Sequence, residues 1–364
     1  MTARRSSGGA AANQSVQSCP DEFPARSCQQ VPTASTQRVA LVTGGAGFIG
    51  SHLVEHLLLR GDQVVVVDDL STGCRGNLEG ANDSHLTFME MSVSQALRSL
   101  GPSEIDEIYH LAAAVGVRLV IDRPIGTIET NVLQTSAVLN FAAEAAIPIL
   151  IASTSEVYGK STQIPFAEDD DVVYGPPRQS RWAYACSKAI DEHLALAHYQ
   201  QNDLPVVVVR FFNIVGPRQV GRYGMVLPRF VASALAGAPI EVYGDGRQTR
   251  CFCDVRDVVA IMPKLLADPT CAGGLFNVGS DQPIEIRALA ELVRDALGSR
   301  SPIVNVPYDR AYGRGFDDLR HRQPDLTRIR EATGFVAQTD LVQTIRDLAN
   351  ELDHRSSSSL ESTV

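Results

Sequence analysis

The stretch that most constrains the fold is Val39-Ala40-Leu41-Val42-Thr43-Gly44-Gly45-Ala46-Gly47-Phe48-Ile49-Gly50-Ser51-His52. Val39 to Val42 reads as a buried parallel strand, and the glycines after it let the backbone turn tightly enough to bring N–H groups against a pyrophosphate. Phe48, Leu53, Leu57 and Leu58 then fall close to helical spacing. The anion would therefore sit at a helix N-terminus, where unpaired donors and the macrodipole favour negative charge. An ordinary glycine turn would share the spacing of Gly44, Gly47 and Gly50, so context has to decide. It is supplied one helix later by Val64-Val65-Val66-Val67-Asp68, a second apolar strand. The carboxylate at its end can accept from a ribose 2′-hydroxyl and would repel a 2′-phosphate. The stretch reads as a dinucleotide site for NAD in preference to NADP, with Gly44, Gly47, Phe48, Ile49, Gly50 and Asp68 as cofactor-binding residues.

A chain of 364 residues with 44% apolar and 20% charged residues suits a soluble protein of two domains or one large α/β unit. Its net charge of −10, without a basic stripe, argues against nucleic acid or an anionic membrane surface as partner. A locally basic pocket can still hold a phosphate. The seven cysteines are odd in number and form no Cys-x-x-Cys, which reads as free thiols in a reducing, cytoplasmic setting. Cys251-x-Cys253 lacks matching ligands for zinc, and no metal is expected. No apolar run approaches the roughly 20 residues of a membrane span.

Residues 1–37, rich in Ser, Gln, Ala, Pro and Gly, read as a disordered tail, as do residues 353–364. Between them short apolar strands alternate with helical segments. That is the pattern of an α/β fold with a doubly wound parallel sheet, a Rossmann domain over 38–212. Residues 213–352 are assigned mainly to a smaller α/β substrate-binding lobe, interleaved with the last strands of the sheet. Asp69-Leu70-Ser71-Thr72-Gly73 is either a plain surface turn or part of the adenosine site. Asn131, on a helix that begins near Pro124, either reaches the cofactor or is simply solvated. Ile147 to Ser153 forms a strand that ends in Thr154-Ser155-Glu156, at the sheet edge where ligands and catalytic groups collect. Backbone caps and a solvated loop charge would account for the same three residues.

Tyr184 and Lys188 lie four residues apart and so share a helix face, where an ammonium would lower a phenol from about 10 toward working pH. After the strand Leu204 to Arg210, residues 211–218 leave as a loop. Arg247 and Arg250 come after a glycine turn and could clamp a diphosphate, or be solvated. Tyr308 to Asp325 is polar, aromatic and arginine-rich, a long loop of the kind that tends to be functional.

Taken together, these residues resemble the extended short-chain dehydrogenases/reductases that act on nucleotide sugars, over nearly all of residues 38–350. The residues that carry the resemblance are Thr43 to His52, Asp68, the Thr154 hydroxyl, Tyr184-x-x-x-Lys188, and Arg218 after Gly216-Pro217. It implies that Thr154, Tyr184 and Lys188 form a hydride-transfer triad with NAD, that Asn213 and Arg250 hold the nucleotide diphosphate, and that Asp68 binds the adenosine ribose. Dimerisation through helices at about 124–146 and 182–202 is implied as well. Subfamily turns on the two residues after Thr154. The 4,6-dehydratases place Asp-Glu there, and 4-epimerases usually have small or hydroxylated residues. Ser153-Thr154-Ser155-Glu156-Val157-Tyr158-Gly159 is similar to the UDP-glucuronate decarboxylases, which adds Ser155 and Glu156 to the catalytic set. Arg181-Trp182-x-Tyr184-x-x-Ser187-Lys188 and the stretch from Tyr312 to Pro324 also resemble a decarboxylase domain, whose matching arginine, Arg322 here, lies in the active site. The function implied is decarboxylation of a UDP-hexuronate through a 4-keto intermediate. The alternatives are 4-epimerisation of UDP-glucose or UDP-glucuronate, 4,6-dehydration, or NAD sensing without catalysis. Ser92 departs from the family, many of whose members have an aspartate there that holds adenine.

Overall fold

The structure, a computed structural model, describes residues 37–80, 84–116, 120, 122–179, 181–221, 225–312 and 319–361. The tail expected over 1–37 therefore lies, but for its last residue, outside the described residues, as do residues 313–318 of the arginine-rich stretch.

Seven parallel strands form the central sheet: β1 (Val39–Thr43), β2 (Gln63–Asp68), β3 (Leu86–Glu90), β4 (Glu107–His110), β5 (Ile149–Thr154), β6 (Val206–Phe211) and a last strand, Gly274–Val278. Their spatial order is β3-β2-β1-β4-β5-β6 and then Gly274–Val278. The chain thus builds outward from β1 in one direction, then returns to build outward in the other. Both faces of the sheet are covered at its centre, which is why β1, β2, β5 and β6 carry continuous apolar runs. On one face Ala40, Val42, Leu150, Val207 and Val209 share a cluster with α1 (Phe48–Arg60) and the helix Val255–Ala267. On the other, Leu41, Ile149, Ile151, Val206 and Val208 pack against α3 (Pro124–Glu144) and α4 (Arg181–Asn202), which come after the single-turn helix α2 (Val93–Ala96). The alternation of neighbouring residues between the two clusters is the period of two of a strand.

A further buried cluster forms in the part of the chain after β6. Leu227, Phe230 and Val231 of α5 (Val226–Leu235) meet Leu289, Ala290 and Val293 of the helix Ile286–Ala296, and Ile345 and Leu348 of the helix Leu341–Glu361. That last helix runs past residue 353, where the sequence pattern reads as tail. Two further expectations change. Within the loop expected at 211–218, Ile214–Val215 (β7) pairs in parallel with Cys253–Asp254. Within the stretch Tyr308–Asp325, Tyr308–Tyr312 is helical and His321–Arg322 is a strand paired in parallel with Thr249–Cys251, with Arg322 opposite Arg250. A two-residue strand carries no periodicity of its own; its partner makes it one. Among the described residues, no helix is long and apolar enough to cross a membrane.

Candidate active site

A cavity of about 410 Å³ opens at the carboxyl ends of β1, β4, β5 and β6. This is where the strand order reverses, the place where open α/β sheets bind ligands. Phe48 and Ile49 line it on one side, Thr154, Ser155, Glu156, Tyr184 and Lys188 lie across its floor, and Asn213, Arg250 and Arg322 reach it from the chain beyond β6.

The glycine loop is built for an anion. Gly44 sits at φ +72°, and a Cβ there would come within 2.7 Å of Ala112 N. Gly47 caps α1 with no side-chain acceptor, and no acid stands in the first turn. The helix N-terminus, with its positive dipole end, is thus left to a ligand, as a dinucleotide pyrophosphate requires. Asp68 is buried at the end of β2, where its Oδ2 accepts from Ala46 N at 3.0 Å and its Oδ1 from Leu70 N at 2.9 Å. Burial pushes its carboxyl up, and the two backbone donors oppose that shift. Each carboxylate oxygen keeps a lone pair for a ribose hydroxyl. These residues fit NAD. Ser92 spends its hydroxyl on Gln95 Oε1, 2.9 Å away, at the start of α2.

Asn131 is not solvated. It is 1% exposed, accepts from Ala114 N at 2.8 Å and donates to Ser187 Oγ at 3.0 Å. It ties the loop after β4 to α4, and so supports one wall of the cavity.

Thr154 both caps and faces the site. Its Oγ1 accepts from Glu156 N at 3.2 Å, fixing the single 3-10 turn Ser155–Tyr158, and it hydrogen-bonds the Tyr184 phenol. Glu156 is not the solvated loop charge its position allowed. Arg322 Nη2 donates to Glu156 Oε1 at 2.5 Å and Arg322 Nη1 to Ser155 Oγ at 3.3 Å. Arg322 is 8% exposed, and its Nε has no hydrogen-bond partner among the described residues. Arg250, 7% exposed, lies beside it on the neighbouring strand. Asn213 adopts φ +42°, a left-handed conformation that asparagine tolerates better than most residues, and its Nδ2 donates to Cys251 O at 3.0 Å.

The Tyr184 phenol stands above its ordinary value rather than below it. Burial pushes the phenol well above its ordinary value, Glu156 adds to the rise, and the bond from Thr154 with the more distant Arg322 only partly offsets it. Lys188 is turned to Asp191 instead: its Nζ donates to Asp191 Oδ2 at 2.6 Å, with both side chains buried. Sequence reasoning missed Asp191, although its spacing of three residues from Lys188 on the same helix was the available signal. It also missed His110, held between Thr43 Oγ1 at 2.8 Å and Thr135 Oγ1 at 3.1 Å. A third omission is the buried cluster in which Arg210 grips Glu192, which accepts from Ser153 behind the floor of the site.

Comparison with known proteins agrees with this geometry. Residues 40–279 match the family described as "NAD dependent epimerase/dehydratase family". The chain is 40% identical over 298 residues to the UDP-N-acetyl-alpha-D-glucosaminuronate decarboxylase of Bacillus cytotoxicus, across 81% of this chain and 91% of that protein. It is 34% identical over 319 residues to UDP-glucuronic acid decarboxylase 4 of Arabidopsis thaliana, across 86% of this chain and 69% of that one. Among solved structures, the UDP-glucose 4-epimerase of Thermus thermophilus in complex with NAD superposes with a TM-score of 0.73 at 28% identity, covering 86% of this chain and 98% of that one.

Proposed function

The chain belongs to the NAD dependent epimerase/dehydratase family, whose members are enzymes that use NAD, and we propose that within it this enzyme decarboxylates a UDP-linked hexuronate of the UDP-glucuronate class. The observation that carries this reading is the buried guanidinium of Arg322 in the same cavity as Thr154 and Tyr184, with one donor unused. A planar guanidinium meets a carboxylate in bidentate fashion, a service that a neutral hexose does not need. The two decarboxylase relatives, both acting by name on uronates, support it.

NAD held by the glycine loop and Asp68 would supply the hydride acceptor and donor at sugar C4. Everything else falls to the chain. Tyr184 takes the C4 hydroxyl proton, and Thr154, already hydrogen-bonded to it, shares the developing oxygen charge. Oxidation at C4 leaves the C5 carboxylate β to a ketone, so loss of CO₂ gives an enolate that Tyr184 and Thr154 stabilise by donating to its oxygen. Arg322 orients the carboxylate before it leaves. That guanidinium pairs with Glu156, so a bound uronate would compete for it and favour the protonated form of Glu156. A protonated Glu156 is then a proton donor for C5, and return of the hydride gives a UDP-pentose. Asn213 and Arg250 are assigned to the diphosphate, on the second-lobe side of the cavity.

A 4-epimerase is the second reading, favoured by the structural likeness to the Thermus enzyme. Steady-state kinetics on two variants separates the two. Arg322→Ala should raise KM for UDP-glucuronate by about tenfold or more with a smaller change in kcat, as for loss of a charged hydrogen bond. Glu156→Gln should lower kcat by about 10²-fold and leave KM unchanged or lower, as for loss of a general acid. If both variants keep wild-type values, the decarboxylase assignment of these residues fails. A homodimer through α3 and α4 and a cytoplasmic setting are part of the same proposal.

A further inference from the structure

Below the floor of the cavity runs a chain of buried polar groups that no step above uses. Lys188 Nζ donates to Asp191 Oδ2 at 2.6 Å, and the two side chains are 2% and 0% exposed. The Thr135 hydroxyl acts on the same carboxylate and also meets His110 Nε2 at 3.1 Å. His110 Nδ1 in turn meets Thr43 Oγ1, which accepts from Ala112 N at 3.4 Å. Burial, with the Lys188 charge added, pushes His110 down to about 3, so the imidazole is neutral at working pH. Lys188 and Asp191 are then the charged pair of this chain, and a buried ammonium stays where its counter-ion holds it.

Resting on the assignment of Tyr184 as the proton-transferring group, we propose that Asp191 is a positioning residue: it anchors the Lys188 ammonium on the underside of the cavity and thereby sets the pH range over which Tyr184 exchanges its proton. The charged and polar groups that face Tyr184 come from three directions. Glu156 and Thr154 lie on the turn after β5, Arg322 on the strand His321–Arg322, and Asp191 with Lys188 on its own helix. Of these, Glu156 and Asp191 disfavour the phenolate, while Arg322 and Thr154 favour it. Asp191 acts twice, by its own charge and by engaging the Lys188 ammonium in a buried ion pair. Its removal should therefore help the phenolate on both counts.

The test is a spectroscopic pH titration of Tyr184 in the NAD⁺-saturated protein, read as phenolate absorbance after subtraction of the matching Tyr184→Phe protein. Asp191→Asn should move the midpoint to lower pH by about one unit, the usual size of one close charge, while Asp191→Glu stays near wild type. Should an unpaired ammonium prevent the Asn variant from folding, the comparison is made in a Lys188→Gln background, where adding Asp191→Asn leaves no buried charge behind and should again lower the midpoint. Midpoints that do not move when Asp191 is neutralised in the background that folds would overturn the proposal. The titration needs neither substrate nor turnover. A moved midpoint without CO₂ release would sink the decarboxylase reading alone.

Discussion

His110 shows how a single side chain ties this fold to solution pH. It is 1% exposed and occupied on both ring nitrogens by Thr43 and Thr135. Unfolded, it takes a proton near 6.5; folded, burial withholds that proton until about 3. Between those values the unfolded state binds more protons, so the contribution of His110 to stability is present above 6.5 and is lost as pH falls, at up to about 1.4 kcal/mol per pH unit. Going from about pH 7.5 to about pH 5.5, His110→Gln should lose about 1 kcal/mol less than wild type in urea unfolding. Equal losses in the two proteins would show that the imidazole is protonated in the fold. Neither partner is near in sequence, with Thr43 lying 67 residues away and Thr135 25. Asp68, Thr154, Tyr184 and Lys188 stand out in the sequence by local spacing or by ending a strand. The buried partners that hold them in place do not, because a hydrogen bond across the sheet leaves no periodicity.

At the scale of elements, the strand, glycine loop and helix from Val39 to Arg60 were legible because every step in them is local. The loop closes so tightly that a Cβ on Gly50 would run into the carbonyl oxygen of Gly44 and the Cα of Gly45. Backbone atoms on both sides cannot yield as a flexible side chain would. Gly50→Ala should therefore cost about 1–3 kcal/mol of stability and at least a tenfold loss of NAD affinity, measured by thermal unfolding and by fluorescence titration. Wild-type affinity in that variant would mean that the pyrophosphate does not sit on this loop. The strand His321–Arg322 is the opposite case. It exists only through its pairing with Thr249–Cys251, and that register is what sets Arg250 and Arg322 side by side. A pairing across some seventy positions lies outside any window of sequence, so the stretch reads as a loop until its partner is seen.

At the scale of the whole molecule, a doubly covered sheet carries the glycine loop and the Thr154-Tyr184 pair, and Asn213, Arg250 and Arg322, from the chain beyond β6, line the same cavity. Outside the core, α3 and α4 expose Ile125, Leu133 and Ile190 at 72%, 61% and 45%, the side chains that the proposed homodimer would cover. Light scattering should accordingly give twice the mass of the chain at micromolar concentration, and Leu133→Glu with Ile125→Glu should return it to the monomer; a wild-type monomer would leave that surface without a role. The central claim is chemical, and its most direct measurement is a product analysis. Purified enzyme with NAD⁺ is given UDP-glucuronate, UDP-N-acetylglucosaminuronate or UDP-glucose, and both released CO₂ and product mass are monitored. A decarboxylase releases CO₂ and leaves a nucleotide sugar lighter by CO₂ from a uronate, with no turnover of UDP-glucose, and this is the expected result. A product of unchanged mass, formed without CO₂, would contradict it and make the enzyme an epimerase.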